Sequence, residues 1–165
     1  MVKATLLLRL ESVMVGKNTR AVLSCALVVS IGSFTAALAS DAPITVQSGA
    51  EHWVAGTGFM KGIGIATLVG NLNQSGNFVV RLRLPAGTKW PVHHHRYRLN
   101  ATVLSGALLV GFGSSVDTTK MVRLPVGSFV TIPAGVNYYD STVGVTVVQE
   151  EGMGPVVTTV IPFKR

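Results

Sequence analysis

The sequence predicts an all-β fold, a sandwich or small barrel of short antiparallel strands, and three observations carry this expectation. Short runs rich in Val, Ile, Leu and Thr follow one another from Gly62 to Pro162, each bounded by Gly, Asn, Asp or Pro. In Val80-Arg81-Leu82-Arg83-Leu84 the apolar and charged residues alternate with the period of a half-buried strand, which sends Arg81 and Arg83 toward water. An apolar-Pro-x-Gly signature recurs at Leu84 to Gly87, Leu124 to Gly127 and Ile132 to Gly135. In such a turn Pro presets one φ and Gly accepts the positive φ that a tight reversal needs. No stretch after Ser40 shows a helical period of useful length. A chain of 165 residues that is 48% hydrophobic and 13% charged, with 18 Gly and 7 Pro, suits one turn-rich globular domain with a processed end.

Taken in order, residues 1–39 are expected to be a signal peptide. Lys17 and Arg20 form the charged region, Ala21 to Phe34 the apolar core, and Ala37-Leu38-Ala39 a small-residue cleavage site before Ser40. Ser24, Ser30, Gly32, Ser33 and Thr35 make this segment short and weak as a membrane span, so no stable insertion is expected after cleavage. Met14 stands just ahead of the charged region and is an alternative start. The expected location is outside the cytoplasm, periplasmic or secreted. Cys25 is the only cysteine and would leave with the signal, so the mature protein folds without disulfides. Residues 40–53 form a lead-in segment, with a short strand or linker over Asp41 to Gln47, and residues 54–165 form the domain. Its expected strands are Gly62 to Val69, Asn77 to Leu84, Arg96 to Leu104, Ala107 to Phe112, Lys120 to Leu124, Ser128 to Ile132, Gly144 to Gln149 and Val156 to Pro162.

Charge and motif content narrow the functional classes. The formal net charge is +7, but from Ser40 onward ten Lys or Arg face six Asp or Glu, and the cations are scattered singly. Nucleic-acid binding needs them clustered, so no nucleic-acid partner is expected. No serine sits in a Gly-x-Ser-x-Gly elbow. The glycines of Gly56-Thr57-Gly58 and Gly62-Ile63-Gly64 lack the strand-to-helix setting and the Lys of a phosphate loop.

The chemistry concentrates in Gly87 to Gly106. His93 and His95 are two residues apart, so on a strand they point to one face, and two converging imidazoles are half of a divalent-metal site. Tyr97 continues that alternation. His94 faces the other way, and His52 is isolated. Equally, the pair can be a polar couple hydrogen-bonded to Tyr138 or Tyr97, satisfied without metal. Trp53, Trp90, Phe59, Phe78, Phe112 and Phe129 read as core or rim packing, with Trp90 able to line a pocket mouth.

Gly87, His93, His95 and Gly106 match the spacing of the first motif of the cupins, and Gly127, Pro133 and Gly135 that of the second. The chain resembles small single-domain bacterial cupins over Val54 to Pro162, with shared sequence at Arg81 to Gly87, Thr102 to Gly106, Val147 to Gln149 and Gly154-Pro155. This resemblance implies a double-stranded β-helix, or jelly-roll barrel. It also implies a divalent ion (Fe, Mn, Zn or Ni) held by two histidines, a glutamate and a later histidine. Here the glutamate position falls on Leu99 and the later histidine on Tyr138. Leucine coordinates nothing, and tyrosine ligates only as a phenolate, from a reference pKa of ~10. Asn100 should point away from the histidines. Asp140, two residues past Tyr138, and Glu151 are candidate replacement ligands. Alternation over Val145 to Glu151 places Gln149 and Glu151 on the presumptive inner face.

Two functions follow as expectations. In the first, an exported cupin binds a small polar or carboxylated molecule in the barrel through His93, His95, Tyr97, Tyr138 and Gln149, with no evident catalysis. In the second, a metal-dependent cupin enzyme of dioxygenase or isomerase type uses His93 and His95, completed by Glu151, Asp140 or Tyr138. The resemblance implies a homo-oligomer, a homodimer joined at sheet edges.

Overall fold

A computed structural model of the chain describes residues 42–162. The expected signal peptide, with Met14 and Cys25, lies outside the described residues. The described part is all-β. The strands are β1 (Val54–Ala55), β2 (Gly64–Val69), β3 (Gly76–Leu84), β4 (Lys89–His95), β5 (Leu99–Ser105) and β6 (Ala107–Phe112). They continue with β7 (Val122–Pro125), β8 (Phe129–Ile132), β9 (Tyr138–Thr142), β10 (Thr146–Gly154) and β11 (Thr158–Val160), and two single 3-10 turns lie at Gly58–Met60 and Thr118–Lys120. They form two antiparallel sheets, one of order β1-β2-β3-β10-β5-β8 and one of order β11-β4-β9-β6-β7.

The core lies between the sheets. Phe78, Val80, Leu82 and Leu84 point inward from β3, as the alternation of that segment predicts, and meet Leu99, Val103, Leu108, Val110, Ile132, Tyr138 and Val148. Burying an aliphatic or aromatic side chain of this kind contributes about 1.5–3 kcal/mol. The Pro-x-Gly segments are tight turns, and Gly87 at their first occurrence takes φ +74°.

Arg81 and Arg83 do face outward, but not simply into water. The lead-in segment crosses over them. Glu51 pairs with Arg81, whose Nε donates to Oε1 of Gln149 at 3.2 Å, and the Arg83 guanidinium sits 4.0 Å from the Trp53 ring centroid.

Three strands, β1, β4 and β9, have no counterpart among the expected ones, and others begin or end elsewhere than expected. β4 was hidden by Pro91 and three histidines, a composition that reads as a loop. Pro91 is tolerated because the β4–β9 ladder is irregular between Trp90 and His93, where no amide donor is required. β9 was hidden by the polar Asn137, Asp140 and Ser141 around its two tyrosines. The expected strand over Arg96 to Leu104 begins only at Leu99, because the chain bends at Arg96 and Tyr97 between β4 and β5. The segment Lys120 to Leu124 opens with a 3-10 turn in which Asp117 Oδ1 accepts from the Thr119 amide at 3.1 Å.

The phase of β10 is a correction with functional weight. Its inward residues are Thr146, Val148 and Glu150. Val145 is exposed, and Gln149 and Glu151 are on the outer face. The inward phase is set by Val148, which pairs with Leu82 of β3 and Val103 of β5, both buried.

Candidate functional site

A cavity of about 310 Å³ lies between the two sheets. From the five-stranded sheet, β4 contributes Trp90, His93 and His95, β9 contributes Tyr138 and β11 contributes Thr158; from the other sheet come Ile65, Leu82 and Glu150. The segment before β2 closes one side with Thr57, Phe59 and Met60. Phe59 stacks on Trp90 with ring centroids 6.0 Å apart, and His93 meets both rings edge-on.

The two histidines are held differently. His93 is 1% exposed and its Nδ1 lies 2.8 Å from the Pro91 carbonyl. A carbonyl only accepts, so Nδ1 carries the proton and Nε2 keeps its lone pair. That Nε2 has no protein partner among the described residues and remains in contact with the cavity. Burial pushes the His93 pKa down, a hydrogen bond to the Pro91 backbone opposes this, and the His94 charge adds to the lowering.

His95 is engaged on both nitrogens. Its Nε2 is 2.9 Å from the Tyr138 phenol and its Nδ1 is 3.2 Å from Thr158 Oγ1. Tyr138 is buried, and an undonated phenolic proton there would be costly, so the phenol donates to Nε2. Burial first, then the neighbouring His93 charge, lowers the His95 pKa to about 4. The Tyr138 pKa is raised by burial and by Glu150 and Asp140, so it remains a phenol.

Acid groups line the opposite wall and the narrow space beneath. Glu150 faces both, and burial raises its pKa to about 7. Neither of its oxygens has a protein hydrogen bond among the described residues. Asp140 is 5% exposed, lines the narrow space beside Tyr138, Leu99 and Glu150, and its Oδ1 is buried without a partner. Burial, and after it the Glu150 charge, pushes the Asp140 pKa well above its ordinary value.

Against this geometry the remaining sequence expectations are corrected. Tyr97 lies in the bend after β4, is 37% exposed and borders a separate surface groove, not the cavity. Gln149 binds Arg81 on the outer face. Glu151 borders the surface groove with Asn100, whose Nδ2 is 3.5 Å from its Oε1, so it cannot join the histidines. His94 points the other way, as expected, and donates to Asn137 Oδ1 at 3.0 Å, and His52 is exposed. Glu150, one residue from the proposed carboxylate, was missed because the strand phase was read one residue out.

No protein-family model matches the chain, and no curated protein sequence does. Solved structures do. An RmlC-like cupin from Shewanella frigidimarina superposes with a TM-score of 0.52 at 16% identity, over 68% of this chain and 91% of that one. The fold is that of the cupins. A chain from the crystal structures of DMSP lyases superposes on this chain with a TM-score of 0.52 at 15% identity, over 67% of this chain and 62% of that one. A conserved protein of unknown function from Streptococcus pyogenes gives 0.46 at 19% identity, over 56% of this chain and 75% of that one.

As a metal centre the site is incomplete. Among the described residues no group of three His, Cys, Asp or Glu side chains converges on a point that could hold an ion. Leu99 is buried in the core at the glutamate position. Tyr138 occupies the later histidine's position and ties up Nε2 of His95, the lone pair a metal would need. Two imidazoles, one already engaged, do not fit a resident divalent ion, which takes three or four protein donors.

Proposed function

We propose that this chain is an exported cupin that binds a small polar molecule inside the barrel and performs no metal chemistry there. One observation carries the reading. His93 is locked by the Pro91 carbonyl so that an unprotonated Nε2 faces a cavity whose apolar wall includes Trp90, Phe59, Ile65 and Leu82. A mostly apolar pocket with a few fixed polar groups is the usual form of a small-molecule site, and this one is at the small end of the ~300–1,000 Å³ range. Of the two ligand chemistries expected from sequence, the polar one is better supported, because no Lys or Arg lines the cavity to neutralise a carboxylate.

The test is elemental mass spectrometry on residues 40–165 and on His93→Ala, combined with melting curves in the presence of uncharged fragments of up to about ten heavy atoms. The expected result is no stoichiometric metal, melting indifferent to chelator, and a fragment that raises the melting temperature saturably in the wild type but not in His93→Ala. About one metal per chain, lost in His93→Ala, would overturn this reading in favour of a metal-dependent cupin enzyme.

A further inference from the structure

Building on this binding reading, we infer that the cavity selects a small organic cation carrying N–H donors, a primary ammonium group attached to an apolar body. The argument is one of complementarity. Two acceptors are left open to the cavity: Nε2 of His93 has its lone pair free, and the Glu150 carboxyl has no protein partner among the described residues, while Thr57 and Asn73, which also line it, can either donate or accept. The strongest donor nearby, the Tyr138 phenol, is committed to His95. A ligand that donates therefore satisfies the site, and one that only accepts leaves these groups unpaired.

Charge points the same way. Glu150 carries the acidic character of the site, facing both the cavity and the adjoining narrow space. No Lys or Arg lines either space. The two histidines are neutral and add no positive charge. The aromatic wall is the third element, since Phe59 and Trp90 both line the cavity and the face of such a ring attracts a cation. Glu150 lies on β10 of the opposite sheet, whereas His93 lies beside the rings, so a charged head at Glu150 and an apolar body against Phe59 and Trp90 fit the two walls.

Three probes of one size and shape test this: benzylammonium, benzyl alcohol and benzoate, titrated calorimetrically at pH 8 into residues 40–165 and into Glu150→Gln. In the wild type benzylammonium is expected to bind at least tenfold more tightly than benzyl alcohol, and benzoate more weakly than either. In Glu150→Gln the advantage of benzylammonium over benzyl alcohol is expected to vanish while benzyl alcohol still binds. Benzyl alcohol or benzoate binding the wild type as well as benzylammonium would overturn the inference and leave the binding cavity standing. Failure of all three to bind would overturn both. The wild-type order decides the matter even if the variant folds poorly.

Discussion

Replacing Glu150 by Gln should change how stability depends on pH far more than it changes stability itself. The carboxyl ionises near its ordinary value of 4.5 in the unfolded chain but at about 7 in the folded one, because the barrel interior disfavours its charge. Below pH 4.5 both states hold the proton. Between the two values the folded state keeps a proton that the unfolded state has released, so folding weakens as pH rises, and the loss is complete above about pH 7. A displacement of this size corresponds to roughly 3 kcal/mol, at about 1.4 kcal/mol for each pKa unit. Gln fills the same space and never ionises. Its stability relative to wild type should therefore be near parity at pH 4.5 and about 3 kcal/mol higher at pH 8, on the order of 10 °C in melting temperature for a domain of this size. The histidines and Asp140 are present in both proteins, so their contributions largely cancel in the difference. The assay is reversible urea unfolding of residues 40–165 and the variant at several pH values from 4.5 to 8. Curves that stay parallel within about 1 kcal/mol would refute the reasoning, because they would mean that Glu150 is solvated in the folded state.

Three further outcomes are expected. His95, displaced from 6.5 to about 4, acts in the opposite direction: the unfolded state gains a proton as pH falls below 6.5 while the folded state resists until about 4. Its His95→Gln variant should accordingly lose less stability than wild type between pH 7 and pH 4 in the same unfolding assay, by up to about 3 kcal/mol. Tyr138→Phe leaves Nε2 of His95 without its donor and should cost about 1–2 kcal/mol by urea unfolding, with the sheet otherwise intact by circular dichroism. Gly111→Ala places a Cβ against the ring of Tyr139, whose phenol is anchored on the Asp117 backbone, and should lower stability by about 2 kcal/mol or more in thermal melts.

Much of the barrel was legible because its signals are local. The alternation in β3, the Pro-x-Gly turns and the motif glycines each depend on a few adjacent residues, and the structure puts each to the expected use. The pairing of His95 with Tyr138 was also within reach, since a His-x-His and a tyrosine at the later motif position leave few other partners. What escaped was set by pairing across strands. β4 carries a proline that only an irregular ladder admits, and that irregularity belongs to β9 as much as to β4. Tyr97 follows the histidines in sequence, yet the chain turns before reaching it. In β10 the run Val145 to Glu151 has apolar residues in both phases, so alternation alone left the inward set open. A count of polar groups could have chosen: one phase buries Gln149 and Glu151, the other only Glu150 with Thr146. The second phase hides fewer polar groups and is the one adopted.

The cavity's two kinds of acceptor belong to different sheets. His93 is carried by β4 of the five-stranded sheet, and Glu150 by β10 of the six-stranded sheet. A guest that engages both acts as a rivet through the sandwich. Its occupancy would then be felt as mechanical coupling between the layers, with amide exchange in β4 and β10 slowing together and by a similar factor. Slower exchange in one sheet alone would mark a guest that rests on a single wall. Because binding only to the folded state adds its free energy to global unfolding, such a rivet would also tighten strands that never touch the guest, out to β7 at one edge and β1 at the other.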